Sequence, residues 1–312
     1  MKKKIIITII FIALFILAIT LVGDKDFYSN LKETIIGEIN ELDKKINTKE
    51  EVEDDFTVTF LDVGQADCIL IKSNNEYMLI DAGNNVDGKK IVKYFKDLDI
   101  KEFKYVFGTH AHEDHIGGMD NIIYNFKIKN FYMPDISTPT ETFYSTLNAL
   151  EKKNVKFQTP SIGDKYKLGK ATIEVIYIGD NIEDLNETSI ILKVTYKKVS
   201  FLFTGDTTSN IEDLILNKNI ESTVLKVAHH GSTYSTSNAF LDKVKPKYAV
   251  ISCETDNDYY HPHVGVLNRL KKHNVTIYRT DLLGTIIATS DGESIEFKNI
   301  KTDTNGEEIW KN

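Results

Sequence analysis

Four side chains that bind divalent metals, His110, His112, Asp114 and His115, stand within six residues in the stretch FGTHAHEDHIGG. The spacing H-x-H-x-D-H is not a packing pattern, because histidine and aspartate are poor core residues unless something neutralises and hydrogen-bonds them. The preceding run KYVFGT reads as a buried strand ending in a turn, and Ile116-Gly117-Gly118 opens a helix. The chain must therefore carry its ligands on a strand-to-helix loop. His110 and His112 suit one metal, and Asp114 and His115 a second. Imidazole with carboxylate is coordination that suits zinc and tolerates manganese or iron.

The 312 residues hold one large or two modest domains, with enough apolar content (41%) for a real core. A net charge of -8 excludes bulk attraction to polyanions, although a local metal centre still holds a phosphate on an acidic protein. Three lysines, Lys2 to Lys4, precede an unbroken apolar run from Ile5 to Val22. That is just enough to span a bilayer, with the lysines on the cytoplasmic side. An uncleaved anchor is the preferred reading and a cleaved signal peptide the alternative, since no good small-x-small site follows the run. Either way the rest of the chain is exported: single-pass and extracytoplasmic if anchored, secreted if cleaved. The two cysteines, Cys68 and Cys253, lie in strand-like runs and read as unpaired buried thiols.

Residues 1–23 are thus the membrane segment, and 24–55 a charged stalk in which Leu31, Ile35, Ile39 and Leu42 recur at helical spacing. From Phe56 short β-rich runs begin: FTVTFLDV, DCILIK and EYMLIDAG, then a helix at KKIVKYFKDL and the strand KYVFGT. A further helix falls within TETFYSTLNALEKKN. The latter half repeats the logic, with strands ATIEVIYIG, SIILKVTY, VSFLFTG and VLKVA and a helix at SNIEDLIL. Helices then alternate with YAVISC and VTIYRT, before the final strands GTIIAT and ESIEFK. Two β-rich halves, each with helices, predict an α/β protein of two sheets packed face to face with helices outside. The folded domain spans 56–300, and 301–312 form a polar tail.

The stretches FLDVGQADCILI, LIDAG, THAHEDHIGG, NETSIIL, LFTGD, KVAHHGS, YYHP and YRTDLLGTI occur in this order. Together they resemble metallo-β-lactamase-fold hydrolases. Within that superfamily they are similar to the C-terminal domain of the competence protein ComEC, and to choline-phosphate esterases of Gram-positive cell surfaces. The resemblance implies a four-layer αββα sandwich with a metal site at one edge, between the sheets. It also implies two divalent ions, zinc by preference and manganese as the alternative. His110 and His112 would hold the first, Asp114 and His115 the second, and Asp206 would bridge both. One of His229 and His230 would complete the second site, and the other would face substrate or orient a ligand. Asp62 and Asp81 are expected to brace the ligand loop from behind.

One departure concerns the first metal. Many superfamily members give it a third histidine, yet none occurs from Ile116 to Ala228. Asn186 stands at about that place, open to three roles: near the ion, donating to substrate, or shaping a turn. Ala66 replaces the family's usual glycine. His261 matches a site histidine of the ComEC-like pattern, for phosphate contact or general acid catalysis. Catalysis is thus expected to involve Asp114, Asn186 and His261. Tyr259 and Tyr260 could stack a base or cradle a choline. His263 reads as a surface or helix-start residue, and His273 as a partner of a helix C-terminus.

The expected function is a membrane-tethered phosphate-ester hydrolase in which two cations lower the pKa of a water toward about 7. A phosphodiester of DNA or a nucleotide is the first-choice substrate, and a teichoic-acid or choline phosphoester of a cell-surface polymer the next. The competing class is a non-catalytic nucleic-acid-binding or scaffold module of an uptake system.

Overall fold

A computed structural model describes residues 56–180, 183–302 and 308–309. The apolar run 5–22, the stalk and most of the tail lie outside them. Among the described residues no helix is long and apolar enough to cross a membrane.

The near-continuous apolar runs become strands buried on both faces. The first half contributes β1 (Phe56–Phe60), β2 (Ile69–Ser73), β3 (Glu76–Ile80), β4 (Glu102–Phe107), β5 (Lys127–Tyr132) and β6 (Phe157–Gln158). Its helices are α1 (Gly88–Asp97), α2 (Glu113–Ile116), α3 (Met119–Asn125) and α4 (Glu141–Lys153). Alternation along the strands divides the side chains between two cores. Ile69, Ile71, Met78, Ile80 and Phe107 face the second sheet. Leu70, Leu79 and Val106 point the other way, onto Ile91 and Phe95 of α1, Ile122 of α3 and Leu150 of α4. Thr140 caps α4 by accepting from Phe143 N at 3.2 Å, and Asn154 ends it in the left-handed conformation.

The second half supplies β7 (Lys165–Leu168), β8 (Ala171–Tyr177), β9 (Ile191–Tyr196), β10 (Val199–Phe203), β11 (Val224–Lys226), β12 (Tyr248–Ile251) and β13 (Thr276–Arg279). These form one seven-stranded sheet in the order β13-β12-β11-β10-β9-β8-β7. Its outer face packs on α5 (Ser209–Ile215), α6 (Asn238–Val244) and α7 (Val264–Lys272) through Ile211, Ile215, Phe240, Leu241, Val266 and Leu270. A short α8 (Thr280–Leu283) follows β13.

The last strands, β14 (Thr285–Ser290), β15 (Ile295–Thr302) and β16 (Glu308–Ile309), return to the first sheet. There β14 pairs antiparallel with β1, Phe56 opposite Ser290, giving nine strands in the order β16-β15-β14-β1-β2-β3-β4-β5-β6. Phe56 stacks on Tyr196 at 4.8 Å, so aromatic rings from both sheets fill the space between. The layers run helix, sheet, sheet, helix. Strands β3, β4 and β5 are mutually parallel, as are β10, β11, β12 and β13. Segments that leave the carboxyl ends of β3, β4, β10, β11 and β12 carry the residues considered next, which is where open α/β sheets present their ligands.

Candidate metal centre

Asp81 leaves β3 with a left-handed backbone (φ 59°) and is fully buried. Its Oδ1 accepts from Thr109 N at 2.7 Å, and its Oδ2 accepts from Thr109 Oγ1 at 2.8 Å. The same Oδ2 lies 2.8 Å from His115 Nδ1, which leaves His115 Nε2 facing Asp114 and Asp206. Burial raises the Asp81 carboxyl above its ordinary value, against the pull of His115. The ligand loop after β4 is therefore tied down at both Thr109 and His115.

One donor atom from each of Asp114, His115, Asp206 and His230 falls within 4.8 Å of the others. His115 Nε2 stands 3.3 Å from Asp206 Oδ1 and 3.7 Å from Asp114 Oδ2. His230 Nε2 stands 3.2 Å from Asp114 Oδ2 and 3.6 Å from Asp206 Oδ2. His110 and His112 adjoin this group, with His110 Nε2 3.0 Å from His112 Nδ1 and the His110 ring 4.1 Å from that of His115. Asp206, at the end of β10, is held by Ser189 Oγ, which accepts its backbone N–H at 3.1 Å.

The two histidines of AHHGS separate cleanly. His230 is buried, and its Nδ1 donates to Ser252 O at 2.9 Å, leaving Nε2 for the cluster. His229 is a quarter exposed at the side chain and lies edge-on to His261 at 5.5 Å, with Nε2 3.7 Å from Asp206 Oδ2. Both have left-handed backbones (φ 50° and 52°), a conformation costing about 1–2 kcal/mol per residue. That turn is what sends consecutive rings to different places.

The charges are arranged as a metal site requires. Burial pushes Asp206 and Asp114 up, but the positive histidines around them outweigh it and hold both carboxyls below their ordinary range. Burial pushes His115 and His230 down, and the neighbouring carboxylates lift both above the ordinary histidine value. His110 goes the other way, lowered by burial and by His115, so its imidazole is neutral. His115 Nε2 and Asp206 Oδ1 are buried with no hydrogen-bond partner among the described residues. Buried donors and acceptors aimed at one point without partners are costly unless a cation collects them. The donor set fits two divalent ions, with protons on His115 and His230 standing where cations would compensate the carboxylates.

Two residues that sequence reasoning assigned elsewhere or passed over belong here. Asp62 does not reach the cluster. Its Oδ1 accepts from Gly64 N at 3.4 Å, and its side chain lines a separate cavity of about 330 Å³ with Lys90, Tyr94 and Thr285. Asp67 takes the inner position instead, because the chain turns between them at Gly64 (φ 71°). Its Oδ2 pairs at 2.8 Å with Lys226 Nζ, and both side chains are essentially fully buried. Asp67 Oδ1 lies 3.8 Å from His230 Nδ1. The signal for Lys226 was present as a lone charge inside the apolar run VLKVA. Ala66 is buried with no positive φ, so its extra methyl is accommodated.

A cavity of about 350 Å³ opens over the cluster and is lined also by Gln65, Asn186, Tyr259 and His261. Asn186 lies in a 3₁₀ turn (Leu185–Thr188), and its Oδ1 is buried without a partner among the described residues. His261 is buried, with Tyr259 stacked on it at 5.7 Å. Tyr260 is 84% exposed and is not part of the lining. His263 is the N-cap residue of α7 and accepts from Thr233 N at 3.0 Å. His273 ends that helix with its Nδ1 2.8 Å from Arg269 O. Cys68 and Cys253 are free and buried.

Residues 61–255, more than half of the chain, match the Metallo-beta-lactamase superfamily. The chain belongs to the metallo-β-lactamase superfamily. Members of this superfamily are generally hydrolases. This metallo-β-lactamase chain is 29% identical over 252 residues to ComE operon protein 3 of Bacillus subtilis (strain 168), covering 73% of this chain and 32% of that protein. It is 29% identical over 238 residues to Competence protein ComA of Neisseria gonorrhoeae, covering 75% and 32%. It thus spans about a third of the length of these curated relatives, which accord with the ComEC-like branch. Among solved structures it is similar to the metallo-beta-lactamase fold protein YhfI from Bacillus subtilis. The TM-score is 0.52 at 12% identity, over 75% of this chain and 100% of that one, a likeness in fold alone.

Proposed function

We propose that this metallo-β-lactamase chain is a metal-dependent phosphodiesterase, exported and held at the membrane by its N-terminal segment, with DNA or a nucleotide as substrate. The observation that carries the reaction class is the character of the cavity. Asp114, Asp206 and His230 of the cluster line it, with Glu113 beside them, and no lysine or arginine lines it among the described residues. A phosphomonoester is close to a dianion at neutral pH and gains more from fixed cations in the wall than a diester does. A phosphodiester carries one charge, which two ions and a few neutral donors can hold. The competence-protein relatives support nucleic acid as the polymer. The lysine-flanked apolar run Ile5 to Val22 supports export.

In this reading His110, His112 and Asp206 would hold one ion, and Asp114, His115, His230 and Asp206 would hold the other. When bound, the ions polarise the phosphoryl group and make water a nucleophile at neutral pH. Asp81 and the carbonyl of Ser252 keep His115 and His230 oriented while the substrate binds. Asn186 and His261 contact the phosphoryl oxygens from the cavity wall, and Tyr259 supplies an apolar face for the group beyond the phosphate.

Initial rates on three chromogenic substrates test the proposal. Bis-p-nitrophenyl phosphate is expected to be turned over faster than p-nitrophenyl phosphate and p-nitrophenyl phosphorylcholine. Preference for the choline ester would replace the nucleic-acid reading with a surface choline-phosphate esterase. Nucleic-acid binding without hydrolysis of any of the three would replace the enzyme with a binding module.

A further inference from the structure

The wall of the cavity contains a hydrogen-bond chain that neither the ligand motif nor the family resemblance assigns. The Gln65 side chain bridges two segments, with Oε1 3.2 Å from Glu254 N and Nε2 3.3 Å from His261 Nδ1. A backbone N–H can only donate, so the amide atom facing Glu254 is the carbonyl oxygen. The amide's NH₂ therefore faces His261, and an NH₂ can only donate. His261 Nδ1 has to accept, which makes it the unprotonated nitrogen of the ring.

The histidine cannot turn away from this partner. Asn257 Oδ1 accepts from His261 N at 3.0 Å, while Asn257 Nδ2 donates to His261 O at 2.6 Å and to Glu254 O at 2.8 Å. Tyr259 covers one face of the ring at 5.7 Å, and His263 meets it edge-on at 4.8 Å. The same small loop thus fixes both ends of the chain, Glu254 and His261. Nε2 makes no hydrogen bond to the described residues, and the ring lines the cavity. Burial and the charges of His230, His229 and His263 bring the His261 pKa down to about 4, in keeping with an uncharged ring at neutral pH.

We infer that Gln65 is a positioning residue that holds His261 in the tautomer with its proton on Nε2, so that His261 offers a hydrogen-bond donor to a phosphoryl oxygen. This rests on the reading of the cavity as a phosphodiester site. It narrows the role expected of His261 from the sequence. A ring fixed in this way donates a hydrogen bond to developing negative charge, and it does not deliver a proton to the leaving group as an imidazolium would.

Gln65→Glu is the decisive substitution, since it keeps an oxygen for Glu254 N and replaces the donor facing Nδ1 with an acceptor. The first readout is the tautomer itself, from long-range ¹H–¹⁵N correlation of the histidine rings in the full-length chain, with His261 assigned by its loss in His261→Ala. The native ring is expected to carry its proton on Nε2, and the Gln65→Glu ring on Nδ1. The second readout is turnover of bis-p-nitrophenyl phosphate. In Gln65→Glu kcat falls roughly 10- to 100-fold, the worth of one hydrogen bond to a charged oxygen, with KM changed far less and metal content retained. Gln65→Leu, which presents neither donor nor acceptor, populates both tautomers and falls between. A native ring protonated on Nδ1 overturns the inference, as does an unchanged kcat in Gln65→Glu once its tautomer has switched. The spectra are read without turnover. A protein inactive on every phosphoester would refute the proposed function while the tautomer still decides the role of Gln65.

Discussion

Lys226→Met should be among the most destabilising substitutions that leave every proposed ligand in place. The ammonium of Lys226 is completely buried beneath the cluster, donates to Val227 O at 3.0 Å and pairs with Asp67 Oδ2 at 2.8 Å. Methionine preserves most of the volume and the apolar stem, so the change isolates the charge. It leaves Asp67 about 1% exposed with one carboxylate oxygen already unpartnered and the other abandoned. Removing one member of a buried pair costs about 3–5 kcal/mol. In a domain of this size that is roughly 6–20 °C in Tm. Asp67→Asn together with Lys226→Met removes both charges and should recover about half of the loss, giving a coupling energy of at least about 1.5 kcal/mol. The assay is urea unfolding of the four proteins in EDTA, so that metal affinity does not enter. Additive effects, or a loss below about 1 kcal/mol in Lys226→Met, would show that the two groups are not an electrostatic unit.

Three other outcomes follow from the same geometry. Asp81→Asn keeps the shape but loses the acceptor facing His115 Nδ1, and should weaken metal binding roughly 10- to 100-fold, read by competition with a chromogenic chelator. Asp206→Asn should lower turnover at least about 100-fold and reduce the bound metal, read by elemental analysis and initial rates. The Cys253 thiol is pushed up to about 12 by burial and by the charge of Asp281, from an ordinary value of 9.0. Its folded-state pKa lies above the unfolded one, so its contribution to stability is intact below pH 9 and lost as pH rises toward 12. Cys253→Ala should therefore show a shallower alkaline decline in Tm than the native protein, and equal slopes would contradict the assignment.

How far the sequence reveals this molecule depends on whether a feature is local. The ligand run from His110 to His115 is contiguous and follows an apolar strand, so its place just beyond that strand was readable directly, but Asp114 and His115 lie within α2 and not on the loop before it. Asp206 and the pair His229–His230, each just beyond an apolar run, came through the family resemblance. What distinguishes His230 from His229 is two successive left-handed residues and a carbonyl at Ser252, and neither leaves a mark in residue type. Asp62 and Asp67 are equally acidic on paper. Only the turn at Gly64 decides which one lies under the cluster. The two sheets were foreseen from the β-rich halves, but the return of GTIIAT to pair with β1 was not. A pairing across the whole domain has no local period. Strands β5 and β7 escaped for another reason, since their exposed lysines break the apolar run that signals a strand.

The central claim is that Asp114, His115, Asp206 and His230, with His110 and His112, form a working two-metal phosphodiesterase site. Metal content of the purified full-length chain, with bis-p-nitrophenyl phosphate turnover on the same sample, tests it most directly. The account predicts about two ions per chain and turnover abolished by EDTA and restored by zinc or manganese. Protein that binds neither metal and stays inert after both are added would contradict it.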